Sequence, residues 1–410
     1  MTIDVSDIRT AAELIAGHVV RTPTLVSRTL SNVVGAEVYV KFENLQFTGS
    51  FKDRGAFVRL NRLTPDEAST GVIAMSAGNH AQGVAYHAQN LGVPATIVMP
   101  KFTPFTKVRH TQGFGARVVL EGETLEESKA HADKLAASES LTFIHPYDDD
   151  DIIAGQGTVA LEMLEDVPNL DTLVVPIGGG GLIAGCAVAA KSINPDIEVV
   201  GVEAAMYPSM RRALDGNSQE IGGQTIADGI AVKAVGERTL AIAREFVDDA
   251  VAVTEAQIEE AIVLYLEVEK TVVEGAGATP LAALLTYPER FAGKRCGLVI
   301  SGGNIDSRLL ASVISRGLVR QGRIVSLRVE IQDRPGMLAE IARLVGEAGG
   351  NIIEVHHQRL FADVPVKGAD LDLMIESRDP THAQEIIATL TGEGYNVEQL
   401  SITSHGGKGQ

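Results

Sequence analysis

Short β-rich runs alternate with helical patterns from about residue 72 to residue 300. Because neighbouring parallel strands need a crossover connection, this alternation predicts βαβ units around a buried parallel sheet. The predicted strands are residues 71–75, 95–99, 116–120, 173–176 and 198–202, and the predicted helices are residues 81–91, 124–137 and 182–192. The predicted fold class of this part of the chain is therefore α/β.

The pattern changes beyond a basic, glycine-containing stretch at residues 316–323, which we interpret as a linker. Strand and helix patterns then follow in the order βαββαβ. The predicted segments are strands at 324–331, 351–361, 369–377 and 396–402 and helices at 337–347 and 381–391. This order predicts a second domain of the α+β ferredoxin-like kind.

Charge and composition exclude several classes of function. The chain has 410 residues, with 53 acidic against 35 basic side chains and a net charge of -18. Nucleic-acid-binding proteins present a basic face, so we expect no nucleic-acid partner. No apolar run reaches membrane-spanning length and the N-terminus lacks a signal pattern, so we expect no membrane partner. Only Cys186 and Cys296 are present, without metal-site spacing, which predicts no metal site and a reducing, cytoplasmic location.

A lysine follows a small, hydroxyl-rich turn in Thr48-Gly49-Ser50-Phe51-Lys52. Lysine forms imines with carbonyl compounds when its site favours the neutral amine. Lys52 is thus a candidate anchor for a carbonyl-containing cofactor. The alternative for this motif alone is a solvated surface amine.

A second motif lies where a predicted strand ends and a helix begins, and it contains Ser76, Gly78, Asn79 and His80. The free N–H groups of a helix start, with Ser and Asn donors beside them, suit an anion such as a substrate carboxylate. An ordinary helix cap explains the same pattern, and His80 then has a structural role.

Four consecutive glycines, Gly178, Gly179, Gly180 and Gly181, precede Leu182 at another strand-to-helix junction. Backbone amides without Cβ atoms can converge on a phosphate there. The spacing of Gly179, Gly181 and Ala184, with Glu203 about twenty residues on, also fits a dinucleotide-binding fingerprint. A Rossmann-type NAD-dependent oxidoreductase therefore stays open as an alternative.

Ser301 follows the predicted strand at residues 297–300. Its hydroxyl can hydrogen-bond the ring nitrogen of a bound heterocycle, but it cannot hold that nitrogen protonated as a carboxylate does. A heterocycle whose ring nitrogen is not held protonated withdraws electrons from a bound substrate less strongly than a protonated one. This weaker electron withdrawal favours rapid β-elimination over transamination.

Together, these motifs resemble those of the threonine dehydratases, which are tryptophan-synthase-β-like pyridoxal enzymes of fold type II. The similarity extends over residues 5–320 and includes the segments 41–46, 154–158 and 227–232. Residues 324–403 resemble an ACT domain, an amino-acid-sensing module. The resemblance implies a two-lobed catalytic domain at residues 1–319, with a small lobe at about 46–145 inserted in a large lobe. An ACT domain at residues 320–410 follows.

By this resemblance, Lys52 carries pyridoxal 5′-phosphate and removes the substrate α-proton. Asn79 contacts the 3-hydroxyl group of the cofactor ring, and Ser301 contacts the pyridine nitrogen. The resemblance also assigns groups to the two anions. The phosphate ligands are Gly178, Gly179, Gly180, Gly181 and Leu182, and the substrate carboxylate ligands are Ser76, Gly78, Asn79 and His80.

The implied reaction converts L-threonine to 2-oxobutanoate and ammonia, with L-serine as a second substrate. A 3-hydroxyaspartate dehydratase and a serine racemase-like enzyme are the alternatives within the family. Serine racemases carry a second serine as base where this chain has Ala77, so we expect elimination without appreciable racemisation. Racemase-like metal sites place ligands four and six positions after an acid such as Glu203, where this chain has Tyr207 and Ser209.

The resemblance also implies an amino-acid effector at the ACT domain, and isoleucine is one candidate. The residues expected to contact it are Asp333, Arg334, Pro335, Gly336, Asn351 and Ile352. The alternative is that Pro335 and Gly336 only form a turn before a helix. We expect a homodimer or homotetramer, because ACT domains usually pair their sheets.

Overall fold

The computed structural model describes residues 3–216, 221–358 and 368–400. It divides into two compact units, Met1–Asp306 and Ser307–Gln410. The helix Ser307–Arg320 belongs to the second unit, so the linker predicted at 316–323 is wrong over residues 316–320. Val313 and Gly317 are buried in this helix, and that burial outweighs the basic, glycine-containing composition that indicated a linker.

The first unit contains ten strands and fourteen α-helices among its described residues. The strands are β1 (Thr24–Ser27), β2 (Glu37–Phe42), β3 (Val72–Met75), β4 (Ala95–Met99), β5 (Arg117–Leu120), β6 (Thr142–Phe143), β7 (Thr172–Pro176), β8 (Glu198–Ala204), β9 (Asp249–Val253) and β10 (Arg295–Ile300). The helices are α1 (Val5–Ile15), α2 (Arg28–Val34), α3 (Lys52–Asn61), α4 (Pro65–Thr70), α5 (Asn79–Leu91), α6 (Phe105–Gly113), α7 (Leu125–Glu139), α8 (Asp150–Asp166), α9 (Gly181–Ile193), α10 (Ser209–Asp215), α11 (Glu237–Phe246), α12 (Glu255–Val268), α13 (Gly275–Thr286) and α14 (Pro288–Phe291).

These strands form two sheets, one for each lobe of the first unit. The larger sheet has the order β1-β2-β10-β7-β8-β9 and is parallel except for β1. The smaller sheet has the order β5-β4-β3-β6 and is parallel throughout. The predicted α/β class is confirmed, and all six strands predicted for this unit are present.

The large sheet is buried because helices cover it closely. Every residue of β7 is buried, as expected for a parallel strand with apolar side chains on both faces. Helices α8 and α9 cross at Gly157 and Gly185. A Cβ on Gly185 would lie 2.2 Å from the Ile153 carbonyl oxygen. The glycines therefore permit an approach of the two helices that no larger residue would allow.

Helix α3 is fixed by a buried charge cluster that consists of Arg54, Glu43, Glu162 and Lys41. Arg54 is fully buried, and its Nε lies 2.7 Å from Glu43 Oε2 while its Nη1 lies 2.7 Å from Glu162 Oε1. Lys41 Nζ donates to Glu162 Oε2 at 2.6 Å. Two positive and two negative groups thus balance one another without solvent.

The second unit has four strands and three helices among its described residues: β11 (Ile324–Gln332), β12 (Asn351–Gln358), β13 (Gly368–Glu376), β14 (Asn396–Leu400), α15 (Ser307–Arg320), α16 (Met337–Glu347) and α17 (Pro380–Gly392). Its sheet is antiparallel with the order β12-β13-β11-β14. From β11 onward the order is βαββαβ, which confirms the ferredoxin-like prediction. Residues 359–361 and 401–402 of the predicted strands lie outside the described residues.

No helix in the described ranges combines the length and the apolar character needed to cross a membrane.

Candidate active site

The loop that delivers Lys52 is attached to the carboxyl end of β10. Phe51 N–H donates to the Ser301 carbonyl at 3.0 Å, and Ser50 forms an isolated β-bridge with Gly302. Gly49 has a φ of +75°, a conformation that favours glycine, and its own carbonyl accepts from Gly303 N–H at 2.9 Å. The turn therefore holds Lys52, the first residue of α3, beside the end of β10.

Lys52 is half-buried, and its Nζ donates to the Pro146 carbonyl at 2.5 Å. Burial lowers the pKa of the Lys52 ammonium to about 8, although the nearby Glu274 carboxyl acts in the opposite direction. About one tenth of Lys52 is then the neutral amine at pH 7, which is the form that attacks a carbonyl. The surface-amine alternative does not describe this residue.

Helix α5 begins at Asn79 after the N-cap residue Gly78, directly beyond the carboxyl end of β3. The Ser76 hydroxyl accepts from Gly78 N–H at 3.2 Å, and a Cβ on Gly78 would meet open space. One turn further, a Cβ on Gly83 would lie 3.3 Å from the backbone of Lys52. The structure therefore brings the α5 start and Lys52 together, with free space in front of the helix terminus.

His80 is buried, and its Nε2 lies 3.0 Å from the Ile144 carbonyl oxygen. Because a carbonyl only accepts, Nε2 carries the hydrogen. Burial lowers the pKa of His80 to about 3, and the Lys52 charge acts in the same direction, so the ring is neutral. The side chain thus has a structural role, and only its backbone N–H at the α5 start can serve an anion.

The segment of residues 178–182, which we call the glycine loop, follows β7 and leads into α9. Gly180 is the N-cap residue of α9 with a φ of +98°, and a Cβ on Gly179 would lie 2.3 Å from the Tyr147 ring. The Gly179 carbonyl accepts from the Thr239 hydroxyl at 2.7 Å, which fixes the turn. Among the described residues, the loop's N–H groups donate no hydrogen bond, so they can serve a phosphate.

Ser301 is buried at the end of β10, next to the Lys52 turn. Its neighbour Gly302 lies against two side chains, because a Cβ there would be 2.7 Å from Glu274 Oε1 and 3.2 Å from Asn79 Nδ2. The glycine loop lies close to the same place, because a Cβ on Gly178 would be 3.4 Å from the Gly229 carbonyl oxygen and a Cβ on Gly229 would be 3.4 Å from Glu274 Oε1. The predicted cofactor residues therefore surround one site at the carboxyl ends of both sheets.

Three side chains of this site were missed by the sequence analysis: Glu274, Tyr147 and Asn304. Burial raises the pKa of the Glu274 carboxyl to about 7, with Asp228 acting in the same direction. Asn304 belongs to the motif after β10 but carried no predicted role. Glu274 precedes the run Gly275-Ala276-Gly277, and an acid at this helix start is the only sequence signal for it.

The residues present fit pyridoxal phosphate. The site offers an amine with a lowered pKa, free amides at a helix N-terminus, an Asn79 amide group and the Ser301 hydroxyl. They fit a dinucleotide less well, because Glu203 accepts from the N–H groups of Met210 and Arg211 at 2.7 and 3.0 Å. Glu203 therefore caps α10 instead of facing a ribose. Within the described residues, no cluster of acidic, His or Cys side chains could hold a metal ion.

A first test concerns the glycine loop. The substitution Gly179→Ala places a methyl group into the Tyr147 ring, so either the ring or the loop must move. We expect the cofactor dissociation constant, measured by absorbance titration of cofactor-free protein, to rise at least about tenfold. Gly113→Ala is the control, because a Cβ there would meet open space. An unchanged affinity of the Gly179 variant would exclude the loop from the phosphate site.

Two known protein families match this chain. Residues 15–302 match the family described as pyridoxal-phosphate dependent enzyme, and residues 325–390 match the ACT domain. The chain is 45% identical over 397 residues to the L-threonine ammonia-lyase of Thermotoga maritima, an alignment that covers 96% of this chain and 99% of that protein.

Two solved structures extend the comparison. The processed form of threonine deaminase isoform 2 from Solanum lycopersicum is 35% identical with a TM-score of 0.71, over 76% of this chain and 86% of that one. The serine racemase of Dictyostelium discoideum is 39% identical with a TM-score of 0.70, over 75% of this chain and 100% of that one. The chain therefore belongs to the pyridoxal-phosphate dependent enzymes, in the family of the L-threonine ammonia-lyases, and carries an ACT domain after its catalytic unit.

Proposed function

We propose that this protein converts L-threonine to 2-oxobutanoate and ammonia, with L-serine as a second substrate. The observation that carries the proposal is the Lys52 amine, whose pKa is lowered by burial and which donates to the Pro146 carbonyl, next to the Tyr147 ring that packs on the glycine loop. The relatives named L-threonine ammonia-lyase support the choice of threonine.

The residues of the site divide the tasks of this reaction. When bound, pyridoxal phosphate supplies the electron sink that lets a proton leave the substrate α-carbon. The amides at the α5 start orient the substrate carboxylate, and the glycine loop holds the phosphate. Lys52 Nζ, in its neutral form, takes the α-proton. General base catalysis of this kind contributes about 10²–10⁴ in rate.

Ala77 decides between elimination and racemisation. It lies between β3 and α5 and has no acidic or basic group, so it cannot serve as the second base that racemisation needs. This favours a lyase over the racemase-like alternative, although a serine racemase is among the similar structures. Formation of 2-oxo acid from L-serine without D-serine is the expected result, and a substantial yield of D-serine would support a racemase.

One experiment tests the main proposal. The purified holoenzyme is supplied with L-threonine, L-serine or 3-hydroxyaspartate, and the 2-oxo acid is measured. We expect the highest kcat/KM with L-threonine, and reduction with borohydride should leave the cofactor on the Lys52 peptide. A higher kcat/KM with 3-hydroxyaspartate would favour the alternative dehydratase. A colourless protein that binds NAD would overturn the proposal.

The pKa of Lys52 gives a prediction for cofactor attachment. With a pKa of about 8, the neutral fraction at pH 7 is about 300-fold larger than for a lysine with the ordinary value of 10.5. Below pH 8 the neutral fraction, and so the rate of attachment, should rise about tenfold per pH unit and then level off. Stopped-flow absorbance after mixing cofactor with cofactor-free protein measures this rate. A rate that still rises tenfold per unit between pH 9 and 10 would contradict a lowered pKa.

We also propose an amino-acid effector at the ACT domain, but the two predicted segments lie far apart within one copy. Strand β11 ends at Gln332, just before Asp333, whereas Asn351 is level with Ile324 because both are in register with Glu376. The nine residues of β11 separate these ends by about 26 Å. One small effector that contacts both segments therefore needs two copies of the chain.

This requirement supports our proposal of a homodimer or homotetramer. We also propose a cytoplasmic location, because both cysteines are free and free cysteines are typical of a reducing compartment. Light scattering of the holoenzyme with and without isoleucine tests the assembly. A monomer under both conditions would exclude an effector site shared between copies.

A further inference from the structure

A row of three hydrogen-bonded side chains lies beside the candidate cofactor site. Asn304 Nδ2 donates to the Thr48 carbonyl and to Asn79 Oδ1, both at 2.7 Å. Asn79 Nδ2 in turn donates to Glu274 Oε1 at 2.7 Å. Glu274 is 5% exposed. The row thus joins the Lys52 turn, the end of β10, the start of α5 and the start of α13.

The row leaves only one orientation for the Asn79 amide. The Thr48 carbonyl can only accept, so the Asn304 atom facing it is the donor Nδ2. The Asn79 atom facing that same Nδ2 must then be the acceptor Oδ1. Its Nδ2 consequently faces Glu274, and a flipped amide would set Oδ1 against the carboxyl oxygen and two donors against each other.

An Nδ2 group has two hydrogens, and the bond to Glu274 uses one of them. The second hydrogen is left for a ligand, and the position of Asn79 fits this use because the α5 start borders open space at Gly78. Gly49 permits the arrangement, since a Cβ there would lie 2.9 Å from Asn304 Oδ1.

We propose that Glu274 and Asn304 are positioning residues that orient the Asn79 amide so that its free N–H serves the oxygen substituent of the cofactor ring. This inference rests on the proposed pyridoxal-phosphate function. Glu274 and Asn304 do not touch the reacting atoms in this account, and they act through Asn79.

A double-mutant cycle tests this dependence. The variants are Asn79→Ala, Glu274→Ala and the double variant, and the readouts are the cofactor dissociation constant and the pH titration of the visible absorption band of the loaded protein. We expect Glu274→Ala to weaken cofactor binding about tenfold to a hundredfold. In the Asn79→Ala background, the same substitution should change it less than about twofold, because the group it orients is gone. Asn304→Ala should behave like Glu274→Ala.

The control and a second variant keep the test decisive. Asn44 Nδ2 donates to Thr271 Oγ1 at 2.7 Å and to the Val272 carbonyl at 3.0 Å, so Asn44→Ala loosens the segment before Glu274 without a contact to Asn79. It should leave cofactor affinity unchanged. If Glu274→Ala does not fold, Asn304→Ala replaces it in the cycle, since it removes the donor that faces Asn79 Oδ1.

The outcomes separate this inference from the proposed function. Additive effects of the Asn79 and Glu274 substitutions, or equal losses in Asn44→Ala, would overturn the positioning role while the wild-type protein still binds cofactor. A wild-type protein that binds no pyridoxal phosphate would overturn the proposed function itself.

Discussion

Replacing Lys52 with alanine should lower kcat for L-threonine by about 10⁴-fold, the upper end of what general acid-base catalysis contributes. The substitution removes the amine that holds the cofactor and the base that takes the α-proton. The visible absorption of the attached cofactor should disappear as well. Steady-state kinetics at saturating cofactor and an absorption spectrum of the dialysed protein measure the two effects.

Lys101→Ala is the control for this substitution. Lys101 pairs with Glu121 at 3.0 Å on the surface, where its side chain is 48% exposed. Its loss should leave both kcat and the spectrum unchanged. If Lys52→Ala kept more than a tenth of the wild-type kcat, another group would have to be the base.

Replacing Arg54 with alanine should lower the free energy of unfolding by about 3–5 kcal/mol, because breaking a buried ion pair leaves uncompensated charge. The substitution leaves two carboxylates, Glu43 and Glu162, with Lys41 as the remaining cation in the cluster. Their repulsion and the cavity act in the same direction. Urea unfolding followed by circular dichroism, with wild type alongside, measures the difference.

Arg117→Ala provides the comparison, because Arg117 pairs with Glu139 at 2.7 Å while both side chains are largely exposed. Surface pairs of this kind contribute about 0–1 kcal/mol. A loss of stability in Arg54→Ala as small as that in Arg117→Ala would mean that the buried cluster is replaceable by solvent.

Much of the fold could be predicted because its signals are local. The bounds predicted for β4 and α16 agree with the structure, since each is a run of suitable side chains between clear turn residues. The linker at 316–323 failed for the opposite reason. Gly317 lies in a helix because of tertiary burial, which composition does not reveal.

The candidate site also has parts with local sequence signals and parts that depend on tertiary contacts. The glycine loop and the Lys52 turn could be predicted because each is a motif of residues that are adjacent in the chain. Glu274 was missed because its contact with Asn79 spans 195 positions, and a single acid before a glycine has no distinctive pattern. Parts of a site that depend on neighbours in space are visible only once the chain is folded.

The charge cluster has a consequence for how substrate preference can change. Arg54 is two positions after Lys52 on α3, and Glu43 and Glu162 hold it on the side of the large sheet. The start of α3, which carries Lys52, is therefore costly to vary. The start of α5 differs, because a Cβ on Gly78 would meet open space and Ala77 carries no charge. Selection for a new specificity among hydroxy amino acids should therefore accumulate substitutions at the start of α5 and leave the start of α3 unchanged.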